Sequence, residues 1–197
     1  MNNSKLKIHN YFSTAMHSKL IFDKRHLEIT INRLCFQLIE NHDLFTDTVI
    51  IGLQSRGVYL SRRIHKLLCE VLNNPNIEHG ELDVSFHRDD FRRRELINPS
   101  RTHIDFILEN KNVIVVDDVL YTGRTIRAGL DAMLSFGRPA KVELLVLIDR
   151  KFSRHLPIAP NYVGKSIDTI LTDKIKVQWQ ETEGEDGVWM LTEDKAT

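Results

Sequence analysis

The spacing of apolar residues changes several times along the chain, and each change marks an element. From Asp23, a side chain suited to capping a helix, Leu27, Ile31, Leu34, Cys35 and Leu38 recur every three or four positions. That spacing predicts an amphipathic helix to about Glu40. Val49–Leu53 is an unbroken apolar run of strand length. After the turn Gln54-Ser55-Arg56-Gly57, the positions of Leu60, Ile64, Leu67, Leu68 and Val71 predict a second helix. Asn73–Asn76 reads as a loop, Leu82–Phe86 alternates as a strand does, and residues 88–102 form a polar, Arg-rich loop. Lys111–Asp117 is an apolar strand running into acids, Thr125–Phe136 a helix closed by Gly137, and Val142–Ile148 a further buried strand.

Nearly continuous Val, Ile and Leu strands alternating with helices are what a parallel sheet covered on both faces requires. The predicted class is α/β, a mostly parallel central sheet flanked by helices. Past Arg150, Pro157, Pro160 and Gly164 interrupt the pattern, and Lys174–Trp179 and Val188–Leu191 read as two short strands. The expected organisation is one domain: a loose extension over 1–20, a core over 21–150, and a small hood with the C-terminal segment over 151–197.

Composition narrows the class. The 197 residues are 42% hydrophobic and 27% charged, so a chain of this length can bury a core without disulfides or structural metals. Lys and Arg number 27, as do Asp and Glu, which argues against holding nucleic acid by bulk charge and leaves local basic patches open. Cys35 and Cys69 sit in apolar helical patterns and read as small hydrophobes of a reduced, cytoplasmic protein. The N-terminal residues lack the apolar stretch of a signal peptide, and no run approaches the ~20 residues of a membrane span. The spacing of the nine His gives no metal-binding pair.

The chemistry concentrates in Val113-Ile114-Val115-Val116-Asp117-Asp118-Val119-Leu120-Tyr121-Thr122-Gly123-Arg124-Thr125. Two carboxylates at the carboxyl end of a buried strand lie where open parallel sheets bind ligands, and can accept hydrogen bonds from two sugar hydroxyls. The Thr-Gly-Arg-Thr that follows opens a helix, so its backbone N–H groups and hydroxyls gather at the positive end of the helix dipole, a cradle for a phosphate.

This string resembles the phosphoribosyl diphosphate (PRPP) signature of the type I phosphoribosyltransferases. The resemblance implies that Asp117 and Asp118 bind the ribose hydroxyls and that Tyr121, Thr122, Gly123, Arg124 and Thr125 bind the 5′-phosphate. Across about residues 20–193 the chain is similar to the branch of that family joining uracil phosphoribosyltransferase activity to attenuation of the pyrimidine operon. The residues that carry this are Ile50–Leu60, His87-Arg88-Asp89-Asp90, Gly137-Arg138-Pro139, Leu156-Pro157-Ile158 and Tyr162-Val163-Gly164-Lys165.

Ser55, Arg56 and Gly57 then form the diphosphate loop, where a guanidinium fork and unhindered amides suit the leaving group. Arg88, Asp89 and Asp90 open a loop expected to close over the site, with Arg88 offsetting phosphate charge. Mg²⁺ is implied mainly through PRPP, with Asp89 and Asp90 as candidates to hold it through water. Asp117, Asp118, Arg56 and Arg88 are the expected catalytic group.

For the base, the purine enzymes of the family carry an Asp where Tyr121 stands and a Lys where Asp149 stands, so the resemblance favours uracil. Asp149, Tyr162, Val163 and Lys165 are the expected base-binding residues, with Tyr162 stacking. The implied reaction is uracil and PRPP to UMP and diphosphate. A hypoxanthine or guanine enzyme is the alternative within the family; a non-catalytic RNA-binding regulator, responsive to UMP or UTP, is the alternative from another class. Arg33, Arg154 and Lys165 match basic positions of the RNA surface in that branch. Against this, Phe36 replaces a His, Ala159 replaces an Arg, and residues 151–153 carry one residue more than the usual spacing. A homodimer or higher homo-oligomer is expected from the family.

Overall fold

The computed structural model describes residues 16–85, 101–169 and 173–193. Its larger sheet has five parallel strands: β2 (Thr48–Leu53), β3 (His79–Leu82), β4 (Asn112–Leu120), β5 (Lys141–Lys151) and β6 (Tyr162–Asp168), in the order β3-β2-β4-β5-β6. A second, antiparallel sheet joins β1 (Met16–Phe22), β8 (Gly187–Glu193) and β7 (Lys174–Gln178), in that order. Helix α1 (Lys24–His42) starts where Asp23 accepts a hydrogen bond from the His26 amide at 2.7 Å. It packs with α2 (Gly57–Leu72) over one sheet face; α3 (Arg124–Met133) covers the other. Among the described residues, no helix is long and apolar enough to cross a membrane.

The all-apolar runs at β2, β4 and β5 are buried because the sheet is covered on both faces. Three expectations shift. Residues 16–22, placed mostly in a loose extension, form β1, because Phe22 and its neighbours close the small sheet by pairing with β8. Residues 1–15 lie outside the described residues. The strand expected at 82–86 lies at His79–Leu82, since β2 selects by register, setting Ile50 against His79 and Leu53 against Leu82. Tyr162–Asp168, expected in the hood, is instead the edge strand of the main sheet, paired in parallel with Leu145–Lys151.

The small sheet, the hood, is anchored to α2. Trp179 is fully buried, its ring 6.3 Å from that of Tyr59 and under the Arg63 guanidinium at 4.9 Å. Arg63 in turn forks onto Glu181 and Asp186, at 2.7 Å from each. Glu181 belongs to the short helix α4 (Gln180–Glu183), so one cation joins α2 to the hood turn. The core of α1 and α2 continues into Val177, Trp179 and Val188.

Replacing Trp179 by Ala should destabilise the protein by about 3–5 kcal/mol. Denaturant titration followed by circular dichroism measures it; an unchanged midpoint would contradict this anchoring.

Candidate active site

The strand order reverses between β2 and β4: α2 carries the chain outward from β2 to β3, and α3 carries it the other way, from β4 to β5. At such a switch point the loops leaving two neighbouring strands diverge and open a crevice. Gln54–Gly57 leaves β2 there and Tyr121–Gly123 leaves β4, so the two motifs read from sequence meet in space.

Strand β4 runs three residues beyond the expected end, to Leu120, which puts both acids inside the ladder. Asp117 and Asp118 are 7% and 9% exposed, with the Asp118 amide donating to Asp117 Oδ1 at 2.9 Å. Burial pushes the Asp118 carboxyl above the usual carboxylate range, against the pull of Arg56, whose Nε lies 3.4 Å from Asp118 Oδ2. Gly57 makes this meeting possible. A Cβ there would lie 2.5 Å from the Val116 carbonyl oxygen and 2.9 Å from Asp117 Cα, so a side chain would drive the diphosphate turn away from the acids.

Gly123 has φ +88° and begins α3 with no capping side chain of its own; the Arg124 amide donates to the Thr122 hydroxyl at 3.4 Å, so the helix opens at the end of β4 with its positive dipole end there. The Arg127 amide donates to the Gly123 carbonyl at 3.0 Å and fixes the entry into the helix. A cavity of about 370 Å³ adjoins the diphosphate turn, lined by Gln54, Arg62, Glu81, Arg101 and His103.

Arg56 has a partner that its sequence neighbourhood does not reveal. Its Nη2 donates to Glu183 Oε1 of the hood at 3.0 Å and to the Val177 carbonyl. The Thr182 hydroxyl and Trp179 amide, with Arg56 beside them, hold the Glu183 carboxyl down at about 2. Glu183 lies 127 residues from Arg56 in sequence, and only the hood packing joins them.

The base-side expectations need correction. Tyr162 lies at the amino end of β6, opposite Leu145, about 13 Å along the strand from the carboxyl end at Asp149. Its ring is buried and its hydroxyl contacts His42 and Glu143, each at 3.2 Å, so it packs the core rather than stacking on a ligand. The Val163 carbonyl, beside it, accepts from Arg33 at 3.1 Å. Asp149 does reach the carboxyl end, but its carboxylate is held by the Arg154 guanidinium. Sequence reasoning did not single out Arg150 for the site. Its guanidinium lies 4.0 Å over the Tyr121 ring, and Nε reaches Thr169 Oγ1 at 3.1 Å.

Of the basic residues matched to an RNA surface, Arg33 and Lys165 are both exposed, and Arg33 bonds the Gly164 carbonyl, next to Lys165, at 2.6 Å. Arg154 is not part of it, because Nε, Nη1 and Nη2 are all engaged within the protein. Arg88, Asp89 and Asp90 lie outside the described residues.

A sheet with a carboxylate pair, a phosphate-type loop and a cationic turn converging at its switch point defines the phosphoribosyltransferase class. A phosphoribosyl transferase domain matches residues 17–183. Hypoxanthine phosphoribosyltransferase of Trypanosoma cruzi has the same fold, with a TM-score of 0.66 at 16% identity over 89% of this chain and 97% of that one. The bifunctional protein PyrR of Elusimicrobium minutum is 37% identical over 89% of this chain and 98% of its own length. The pyrimidine operon regulatory protein of Lactococcus lactis subsp. lactis is 43% identical over 91% of this chain and its full length. The chain therefore belongs to the phosphoribosyltransferase family and, within it, to the PyrR group.

Substituting Gly57 by Ala should lower phosphoribosyl transfer at least tenfold and cost about 1–3 kcal/mol by overpacking against β4. A rate within twofold of the parent would show that the close approach is not needed.

Proposed function

We propose that this protein transfers the phosphoribosyl group of PRPP to uracil, giving UMP and diphosphate. The observation that carries the reading is the convergence of Asp117–Asp118, the Thr122–Thr125 turn and the Ser55–Gly57 turn on one crevice. Sugar hydroxyls donate to the two carboxylates, the 5′-phosphate sits on the amides opening α3, and Arg56 turns from Glu183 to the diphosphate. The C1′–O bond to diphosphate breaks as uracil N1 bonds to C1′, the N1 proton leaving to solvent or to diphosphate oxygen. The buried acids beneath the ribose stabilise positive charge as it develops on the sugar.

The residue set fits Mg²⁺ that arrives with its substrate. Among the described residues no group of three His, Cys, Asp or Glu could cage a metal, while Asp117 and Asp118 supply hard oxygen donors beside the diphosphate turn. Bound there, Mg²⁺ would neutralise the departing diphosphate.

At the base, Arg150 and the backbone at the carboxyl end of β6 read uracil's carbonyls and N3–H in this reading, supported by the stacking of Arg150 on Tyr121 and by the position of Tyr162 at the opposite end of β6. Tyr121 also supports uracil over a purine, since a phenol does not take a proton from a purine ring nitrogen near neutral pH. The purine enzyme of known structure is like this chain in fold alone.

A second reading, RNA binding governed by UMP or UTP, is favoured by the relatives' naming as bifunctional and as operon regulators, and by the exposure of Arg33 beside the Gly164–Lys165 backbone. Both readings describe a cytoplasmic protein, assembled as a homodimer or higher oligomer.

Diphosphate release from PRPP and Mg²⁺, assayed with uracil, hypoxanthine and guanine separately, should appear with uracil alone and vanish when Mg²⁺ is chelated. Release only with a purine would overturn the base assignment. Asp117→Asn and Asp118→Asn should each lower the rate roughly a hundredfold while leaving the melting curve in place. Full activity in both variants would remove these acids from the mechanism. In filter retention of pyrimidine-operon leader RNA with UMP, Arg33→Gln should weaken binding and leave transfer unchanged; no retention by the parent would defeat the RNA reading.

A further inference from the structure

The segment Arg154–Ile158, expected in the hood, runs beneath the loop that follows β4. Arg154 Nη1 donates to the Leu120 carbonyl at 3.1 Å, to the Tyr121 carbonyl, and to the Arg150 carbonyl at 3.0 Å. Its Nε donates to the Ile158 carbonyl at 3.1 Å, and Nη2 holds the Asp149 carboxylate. The next residue continues the contact, the His155 amide donating to the Thr122 carbonyl at 3.0 Å. Ile158 and Leu156 then close under Gly123, where a Cβ would lie 3.2 Å from Ile158 Cδ1 and 3.5 Å from Leu156 Cβ. Leu120, Tyr121, Thr122 and Gly123 are thus each met in turn by one short segment.

A trans peptide points its C=O and the following N–H in opposite directions. Drawing the Tyr121 and Thr122 carbonyls onto this segment therefore aims the Thr122 and Gly123 amides to the opposite side of the loop. We infer that Arg154 is the positioning residue of the phosphate loop: its guanidinium on the Tyr121 carbonyl, continued by the His155 amide on the Thr122 carbonyl, orients the loop peptides so that their amides face the 5′-phosphate. The inference rests on the phosphoribosyl reading and assigns Arg154 an internal role in place of an RNA contact. A guanidinium suits it because one planar fork can serve several carbonyls and a carboxylate together, whereas an ammonium keeps the charge and loses the fork. Asp149 fits the same arrangement. It pairs with Leu120 in the β4–β5 register and there neutralises the half-buried cation.

The test compares two ligands of the same crevice, PRPP, which needs the phosphate loop, and magnesium diphosphate, which does not. In Arg154→Gln, the dissociation constant for PRPP should rise between about tenfold and a hundredfold, while that for diphosphate stays within twofold. Arg154→Lys, which keeps the ion pair with Asp149 and guards against a variant that does not fold, should show the same selective loss. An unchanged PRPP constant in either folded variant, or equal weakening of both ligands, would overturn the assignment, the second by revealing a general structural defect. If the parent protein binds neither ligand, the phosphoribosyl reading fails and this inference falls with it.

Discussion

Van der Waals contact between the Arg56–Gly57 turn and Val116 and Asp117 of β4 is the constraint on which the site depends. With a hydrogen where other residues carry Cβ, Gly57 lets the start of α2 close on Val116 and Asp117, and Arg56 comes within reach of Asp118. The strand order makes the meeting possible, because β2 and β4 are neighbours whose following helices leave in opposite directions. A cation, two buried carboxylates and a helix N-terminus are thereby concentrated at one edge of a rigid sheet. Their charges are balanced internally: Asp118 faces Arg56, and Arg56 also faces Glu183. In the proposed reaction, an incoming diphosphate would compete with these carboxylates for the Arg56 guanidinium.

The hood takes part in that balance. Glu183 stands at the end of a four-residue helix whose position is set by buried Trp179 and by Arg63 forked onto Glu181 and Asp186. Packing of Trp179 and of the Glu181–Asp186 turn on α2 therefore determines where the Glu183 carboxylate meets Arg56, the residue that precedes the same helix. On the other side of the crevice, Arg154 plays the corresponding part for the loop after β4.

What was legible in the sequence is what local pattern encodes. Unbroken apolar runs gave β2, β4 and β5, helical spacing gave α1, α2 and α3, and the contiguous string from Val113 to Thr125 gave the acids and the phosphate loop. Pairings between distant segments were not legible. Residues 16–22 have no periodicity that distinguishes them from a tail, and they become a strand only because β8 lies beside them. Tyr162 has the aromatic character of a base-stacking residue, yet parallel register with Leu145 places it at the wrong end of the sheet. Arg154 shows the same limit. A basic residue in a polar stretch reads as surface, and only the fold reveals the carbonyls and the carboxylate that enclose it.

The central claim, that the two loops at the switch point form one phosphoribosyl site, is tested most directly by a crystal structure with UMP bound. The account predicts the 5′-phosphate on the amides of Thr122–Thr125, the ribose hydroxyls on Asp117 and Asp118, and the uracil ring beside Arg150 at the ends of β5 and β6. UMP bound elsewhere, or in the crevice with its phosphate on the Ser55–Gly57 turn, would contradict it.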